Sequence, residues 1–177
     1  MAVMSAKRTV PEAEPMSYPE AIYHGDTGEA SATFRPADQA PDVIYPIGNT
    51  IHYLATGAAT RGLFGLYRYE MGREPSGPGP HFHRSLTESF YVLTGTVKIY
   101  DGRRWIDTRP GDFIHVPEGG IHGFRNESGE PASMLLHFAP GAPREGYFEG
   151  LAEFARSGKP SDDEMAAFCL RHDNIWV

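Results

Sequence analysis

Two histidines and a glutamate lie close together in one short stretch, GPGPHFHRSLTESFYVLTG, at residues 77–95. His81 and His83 are two residues apart, so on an extended segment both side chains point to the same face. Residues 84–87 can form a bend, and Glu88 follows them at the start of a β-like run. Neutral imidazoles together with a carboxylate suit a divalent transition metal, namely Fe, Mn, Co, Ni, Cu or Zn. The alternative for an isolated His-x-His pair is two polar surface residues on a loop.

A second stretch, GDFIHVPEGGIHGFRN at residues 111–126, supplies a candidate for a fourth ligand. His122 lies just past a turn made by Pro117, Gly119 and Gly120, and a hairpin there can return it to the first stretch. Four protein ligands on an ion that prefers six leave two positions open, which is the form of a catalytic metal site. The four predicted ligands are His81, His83, Glu88 and His122.

Together the two stretches resemble the two-part signature of the cupin superfamily. The first motif reads His81-x-His83, four residues, Glu88, six residues, Gly95, and the second reads Gly111, five residues, Pro117-x-Gly119, two residues, His122, three residues, Asn126. The 15 residues between them are about right for one connecting hairpin. One departure is Pro75, which stands where the family pattern has a glycine, although Gly77 and Gly79 lie nearby.

The rest of the chain predicts three parts. Residues 1–42 contain five prolines that interrupt any helix, which indicates an irregular N-terminal arm. Residues 43–140 are short β-rich runs separated by Gly, Pro and Asp, typical of an antiparallel sandwich or small barrel. Residues 141–177 predict two short amphipathic helices that cover an edge or the mouth of the barrel. With the resemblance, the predicted fold class is all-β: a cupin double-stranded β-helix, or jelly-roll barrel, with an irregular arm and two short C-terminal helices.

The single-barrel layout and the intact ligand set are similar to metal-dependent cupin dioxygenases of the quercetinase type. That resemblance implies one bound transition-metal ion, a small aromatic, phenolic or enolic (flavonol-like) substrate, and dioxygen as the second substrate. It also implies that Glu88 is both a ligand and the general base. Aromatic residues such as Phe90, which shares the inward face of Glu88, favour a planar ligand. Two alternatives stay open: a non-oxidative lyase, isomerase or polyketide cyclase, and a non-catalytic cupin that binds a small molecule.

Other polar residues near the motifs allow more than one interpretation. His115 alternates with apolar neighbours, which favours a polar residue on one barrel face over a fifth ligand. His137 either lines the cavity from the last barrel strand or is a structural histidine. Arg84 and Arg125 flank the ligands and can meet a carboxylate at the entrance, or else are solvated surface residues. Asn126 is expected to close a turn.

Composition narrows the classes of partner. The 177-residue chain has a net charge of −7, so nucleic acids and anionic membranes are not expected partners. No apolar run is long enough to span a membrane. Cys169 is the only cysteine and no signal peptide is recognised, which together indicate a cytoplasmic protein. Family habit and the long arm suggest a homodimer.

Overall fold

The computed structural model describes residues 17–177. The chain divides into two units, the first ending at residue 34 and the second spanning residues 35–177. In the first unit, residues 17–34 contain no helix or strand, whereas residues 1–16 of the predicted arm lie outside the described part. The three-part division expected from the sequence stays a prediction.

The second unit is built mainly from short strands, followed by two helices. The strands are β1 (Val43–Ile44), β2 (Thr50–Ala55), β3 (Gly65–Met71), β4 (His81–Phe82), β5 (Thr87–Thr94), β6 (Val97–Tyr100), β7 (Trp105–Thr108), β8 (Phe113–Val116), β9 (Gly123–Arg125), β10 (Ala132–Ala139) and β11 (Ile175–Trp176). The helices are α1 (Glu145–Ser157) and α2 (Asp162–Arg171).

All the strand pairs are antiparallel, and they form three sheets. The large sheet has the order β1-β2-β3-β10-β5-β8, the second has the order β7-β6-β9, and β11 pairs with β4. Strand β5 shows how sequence alternation sets the faces, because Glu88, Phe90 and Val92 are buried while Tyr91 between them is 43% exposed. The alternation places Glu88 on the same face as the core residues of its strand.

The core joins the large and the three-stranded sheets. Tyr67, Phe90 and Leu136 from the large sheet are buried together with Ile99 and Phe124 from the smaller one. Each large apolar side chain removed from water contributes about 1.5–3 kcal/mol. Two of the predicted ligands pack against this core, since the ring centroid of His122 lies 5.9 Å from that of Phe90 and the ring centroid of His83 lies 6.4 Å from that of Phe138.

Both predicted helices are present, with the predicted ends. Helix α1 stops at Gly158, whose φ of +113° lies outside the helical region and whose N–H donates to the Phe154 carbonyl at 3.1 Å. Helix α2 begins with a capping box, in which Ser161 Oγ accepts from the Glu164 N–H at 3.2 Å and Glu164 Oε2 accepts from the Ser161 N–H at 2.9 Å. Among residues 17–177, no helix has the length and apolar character needed to cross a membrane.

The sequence did not predict the last strand. Strand β11 returns to the barrel and pairs with β4, so that Ile175 lies opposite Phe82 and Trp176 opposite His81. A strand of two residues is too short to show an alternation of apolar and polar residues, so the sequence carries no signal for it. Its pairing brings the C-terminal segment directly beside the first motif.

Candidate functional site

Backbone hydrogen bonds join the two motifs. The N–H of His81 donates to the His122 carbonyl and the N–H of His122 donates to the His81 carbonyl, both at 2.8 Å. The Gly119 N–H donates to the His83 carbonyl at 2.7 Å. These bonds place the turn of the second motif against the His-x-His segment, as the predicted hairpin requires.

The lead-in to the first motif keeps a glycine at the point of closest approach. Gly77 has a φ of +125°, and a Cβ built there would lie 2.2 Å from the Phe124 carbonyl oxygen. Only glycine fits a backbone that is both left-handed and this close to its neighbour. The entry turn is therefore preserved at Gly77 although Pro75 replaces the glycine of the family pattern.

The four predicted ligands form one buried cluster. Their exposed fractions are 3% for His81, 2% for His83, 4% for Glu88 and 1% for His122. One potential donor atom from each residue lies within 4.8 Å of all the others. The ring centroids of His81 and His122 are 4.4 Å apart, and that of His83 lies 5.1 and 5.2 Å from them. A buried His₃Glu cluster of this kind can bind a metal ion.

The tautomer of each imidazole follows from its backbone partner. Nδ1 of His81 lies 2.9 Å from the Gly79 carbonyl, Nδ1 of His122 lies 2.8 Å from the Gly120 carbonyl, and Nδ1 of His83 contacts the Asp173 carbonyl. A carbonyl oxygen only accepts, so each Nδ1 carries the proton and donates it. In the neutral ring this leaves a lone pair on every Nε2, which is the arrangement that outer partners impose on metal-binding histidines.

The contacts at Glu88 require a positive charge in the cluster. Its Oε2 lies 3.0 Å from His83 Nε2 and 2.8 Å from His122 Nε2. With neutral rings, two nitrogen lone pairs would face a carboxylate oxygen, which is repulsive unless a proton or a cation lies among them. Three imidazole nitrogens and one carboxylate oxygen therefore fit a divalent transition-metal ion.

The pKa values show how the cluster behaves without a cation. Burial alone would raise the pKa of Glu88, but the contacts with His122 and His83 hold it well below its usual range. Burial lowers the pKa of His122, yet the contact with Glu88 outweighs it and the pKa lies above the ordinary value. Burial lowers the pKa of His81 to about 4. At neutral pH the site thus offers a carboxylate and a neutral His81, while the contact with Glu88 favours the protonated form of His122.

A cavity of about 380 Å³ opens onto this cluster and reaches His81 and Glu88. This volume is within the range of small-molecule sites. Its apolar wall comes from the large sheet, from the three-stranded sheet and from the C-terminal helices, which cover the barrel mouth as predicted. The aromatic residues of the wall are Tyr45, Tyr69, Phe124, Phe138, Tyr147, Phe148 and Trp176.

The C-terminal segment supports the His-x-His turn from outside. The Asp173 carboxylate accepts from the Arg84 N–H at 2.9 Å, from the Ser85 N–H at 2.8 Å and from Ser85 Oγ at 2.7 Å. The carbonyl of the same residue accepts from His83 Nδ1. Asp173 therefore fixes both the bend after His83 and the orientation of the His83 ring.

Replacing Asp173 by Ala is expected to lower the free energy of unfolding at pH 7 by about 1.5–3 kcal/mol, because bonds to a charged acceptor are lost. Burial raises the pKa of Asp173, but its bonds with Ser85 and Arg84 bring it below the usual value. This contribution to the free energy of unfolding is thus complete above the ordinary carboxyl pKa of about 3.9, and it disappears as the pH falls through the lower pKa of the folded state.

Urea unfolding at pH 7, and again at a pH below the folded-state pKa of Asp173, tests this prediction. Asp173→Asn is the matched variant, because asparagine tolerates the φ of 53°. Equal stability of the wild type and the alanine variant at pH 7 would refute it.

The remaining polar candidates lie away from the cluster. His115 is exposed and its Nδ1 contacts Ser89 Oγ at 3.0 Å, as expected for a polar residue on the outer barrel face. His137 stacks on Phe64 at 5.6 Å and lines a smaller, separate cavity, so the cavity-lining alternative is wrong for the site that holds the cluster. Buried Asn126 closes a turn by donating to two backbone carbonyls.

The arginine that lines the cavity is not one of the two suggested by the motifs. Arg84 is exposed, and the guanidinium of Arg125 lies 4.4 Å from the Trp105 ring centroid, so neither is part of the cavity wall. The wall instead contains Arg144 and Asn174. Both come from the C-terminal segment, and nothing in their local sequence indicates a place beside the first motif.

Comparison with known proteins supports the resemblance to the cupins. Residues 66–138 match the family described as the Cupin domain. KdgF from Halomonas sp. superposes with a TM-score of 0.52 at 17% identity, over 62% of this chain and 94% of that one. A predicted oxalate decarboxylase from Thermotoga maritima gives 0.55 at 18% identity, over 62% and 99%. Residues 66–138 thus match the cupin family, and the likeness to these two solved structures shows that the fold is the cupin barrel that the motifs predicted.

Two curated relatives are enzymes or probable enzymes. The chain is 31% identical over 83 residues to quercetin 2,3-dioxygenase of Bacillus subtilis (strain 168), which is 46% of this chain and 24% of that protein. It is 40% identical over 68 residues to the probable oxidoreductase patJ of Aspergillus clavatus, which is 37% and 21% respectively. The matches thus cover about a quarter or less of the length of these relatives.

Proposed function

We propose that His81, His83, Glu88 and His122 hold one divalent transition-metal ion, and that the protein is a dioxygenase acting on a small aromatic, phenolic or enolic compound. The observation that carries this proposal is the position of the buried His₃Glu cluster on an aromatic cavity of about 380 Å³. The similarity to quercetin 2,3-dioxygenase supports the oxidative reaction. A flavonol-like compound is therefore the first candidate substrate to assay.

The wall of the cavity favours a flat, largely apolar ligand. Tyr69, Phe124 and Phe138 present aromatic rings to it. Burial raises the pKa values of Tyr45, Tyr69 and Tyr147, so their phenols stay neutral at physiological pH. None of these tyrosines is then a base at neutral pH. Glu88, the carboxylate of the wall, is therefore the candidate for the general base.

The mechanism divides between the ion and the protein. When bound, the ion supplies a Lewis acid that draws electron density from a substrate oxygen. Glu88 accepts the proton of the substrate hydroxyl, and its contacts with His83 and His122 keep the carboxylate oriented. The aromatic wall orients the ring and excludes water from the activated carbon. Dioxygen is the second substrate.

An oxygen-electrode assay tests the reaction. Metal-reconstituted protein is expected to consume oxygen in the presence of members of a panel of flavonols, 1,3-diketones and hydroxyaryl acids. Protein stripped with a chelator is the control and is expected to consume none. Stoichiometric metal without substrate-dependent oxygen uptake would contradict the dioxygenase assignment and favour the non-oxidative lyase, isomerase or cyclase.

Metal uptake is expected to strengthen as the pH rises. The pKa of His122 lies above its ordinary value, because its contact with Glu88 outweighs the effect of burial. Below that pKa, Nε2 carries a proton that must leave before the nitrogen can bind a cation. The affinity for Zn²⁺ should therefore rise by up to about tenfold per pH unit below the His122 pKa, and the His122 contribution should level off above it. Calorimetric titration in two buffers of different ionisation enthalpy measures the released proton. An affinity independent of pH, with no proton release, would contradict this.

A further inference from the structure

Two buried polar residues in the cavity wall are not used by the proposed metal site. Arg144 lies at the N-terminus of α1 and is 4% exposed, and Asn174 lies just before β11 and is 2% exposed. Both line the same cavity as His81 and Glu88. They therefore face the space in which the substrate is proposed to bind.

Neither residue is satisfied by the protein. Nη1 of Arg144 donates to the His172 carbonyl at 2.7 Å, but its Nε has no partner, and Arg144 forms no salt bridge within residues 17–177. Both polar atoms of the Asn174 side chain also lack a partner in this part of the chain. Buried polar groups are nearly always hydrogen-bonded, so two unpartnered donors, Arg144 Nε and Asn174 Nδ2, and one unpartnered acceptor, Asn174 Oδ1, on residues that line a cavity point to a ligand.

The Arg144 side chain is held in a defined plane. Its guanidinium carbon lies 4.4 Å from the ring centroid of Tyr147 and 4.9 Å from that of Phe138. Contacts with two aromatic faces restrict the guanidinium to few orientations. The unpaired Nε is thus a fixed donor and not the end of a mobile side chain.

The charges around the cavity favour an anion. Glu88 carries one negative charge and Arg144 one positive charge, while the tyrosines of the wall are neutral at physiological pH. A divalent ion in the cluster would leave the cavity with an excess of two positive charges. A low-dielectric cavity with that excess binds an anionic ligand in preference to a neutral one of the same shape.

We propose that Arg144 and Asn174 form a carboxylate-binding subsite, and that the substrate is a planar hydroxyaryl or enolic acid. This inference rests on the proposed function, because it takes the cavity as the substrate site. The substrate carboxylate accepts from Arg144 Nε and Asn174 Nδ2, and its hydroxyl lies toward Glu88. The subsite distinguishes such an acid from a neutral flavonol or diketone of similar size.

The test compares a matched pair of probes, 3-hydroxy-2-naphthoate and its neutral amide, 3-hydroxy-2-naphthamide. Calorimetric titration of the full chain is made in the zinc-loaded and the metal-free forms. Wild-type protein is expected to bind the acid at least about tenfold more tightly than the amide, as a charge-assisted bond implies. Arg144→Met should reduce this preference to about twofold or less while leaving the affinity for the amide nearly unchanged. Arg84→Met, which alters an exposed arginine, should keep the full preference.

Asn174→Leu provides a second variant that separates binding from folding. The Asn174 side chain bonds to nothing in the described protein, so its loss should not lower the midpoint of thermal unfolding. The affinity for the naphthoate should nevertheless fall by about tenfold. A lower unfolding midpoint with unchanged naphthoate affinity would show that Asn174 is structural, against the proposal.

The possible failures can be told apart. Equal affinities of the wild type for acid and amide, no measurable binding of the naphthoate, or a preference that persists in Arg144→Met would overturn the carboxylate subsite. Absence of zinc binding, with the acid preference intact in the metal-free form, would overturn the proposed metal-dependent function and leave the subsite standing.

Discussion

Replacing His122 by Ala is expected to lower the affinity for divalent transition metals by at least about 100-fold, because loss of even an outer partner of a metal ligand costs 10–100-fold. His122 is 1% exposed, its Nε2 lies 2.8 Å from Glu88, and its Nδ1 is held by Gly120. No other histidine of residues 17–177 belongs to the cluster apart from His81 and His83, so none replaces the lost donor. Competition with a chromophoric chelator measures the affinity.

The matched control is His115→Ala. His115 precedes the same turn, but it is exposed and contacts Ser89 instead of the cluster. This variant should bind metal as tightly as the wild type. Near-ultraviolet circular dichroism should show folded barrels for both variants, because the large apolar side chains that pack between the sheets are unchanged in both. Wild-type metal affinity in His122→Ala would mean that the ion binds elsewhere.

Replacing Glu88 by Gln should reduce turnover per bound metal by at least about 100-fold, the lower range for loss of a general base. Glutamine has nearly the same shape as glutamate, so it preserves the cavity that Glu88 lines. It has no negative charge and cannot accept the substrate proton. The contacts of Glu88 with His83 and His122 also lose their charge, so the metal affinity should fall as well. Oxygen uptake divided by measured metal content separates the two effects.

Glu118→Gln is the control for this variant. Glu118 is exposed in the turn of the second motif, so the change removes the same charge close to the site without touching the cavity. It should leave turnover within about twofold of the wild type, as is usual for surface substitutions. Wild-type turnover per metal in Glu88→Gln would contradict the role of Glu88 as base and leave it, at most, a ligand.

The sequence predicted those features whose signal is local. Alternation in β5 indicated that Glu88, Phe90 and Val92 share one face, and all three are buried. The capping box at Ser161 and Glu164 placed the start of α2 correctly. The two motifs, through their resemblance to the cupin signature, pointed to His81, His83, Glu88 and His122, and the structure brings these four side chains together.

The sequence could not indicate the residues brought in by the return of the chain. His83 and Asp173 are separated by 90 positions, and their contact depends on the pairing of β11 with β4. For the same reason the motifs pointed only to Arg84 and Arg125, either at the entrance or as solvated surface residues, and gave no signal for Arg144. The homodimer and the cytoplasmic location depend on surfaces and sorting that no motif records, and both stay predictions.

X-ray absorption spectroscopy of the metal-loaded protein, purified without a histidine tag, tests the central claim most directly. Multiple scattering from imidazole rings counts the histidines around the ion. We expect about one ion per chain with three imidazole nitrogens in its coordination sphere, the remaining donors being oxygen, as the cluster of His81, His83, Glu88 and His122 provides. In His122→Ala, any residual ion should show at most two imidazoles. A wild-type spectrum with only oxygen donors, or no bound ion after reconstitution, would contradict the assignment of a metal centre to this cluster.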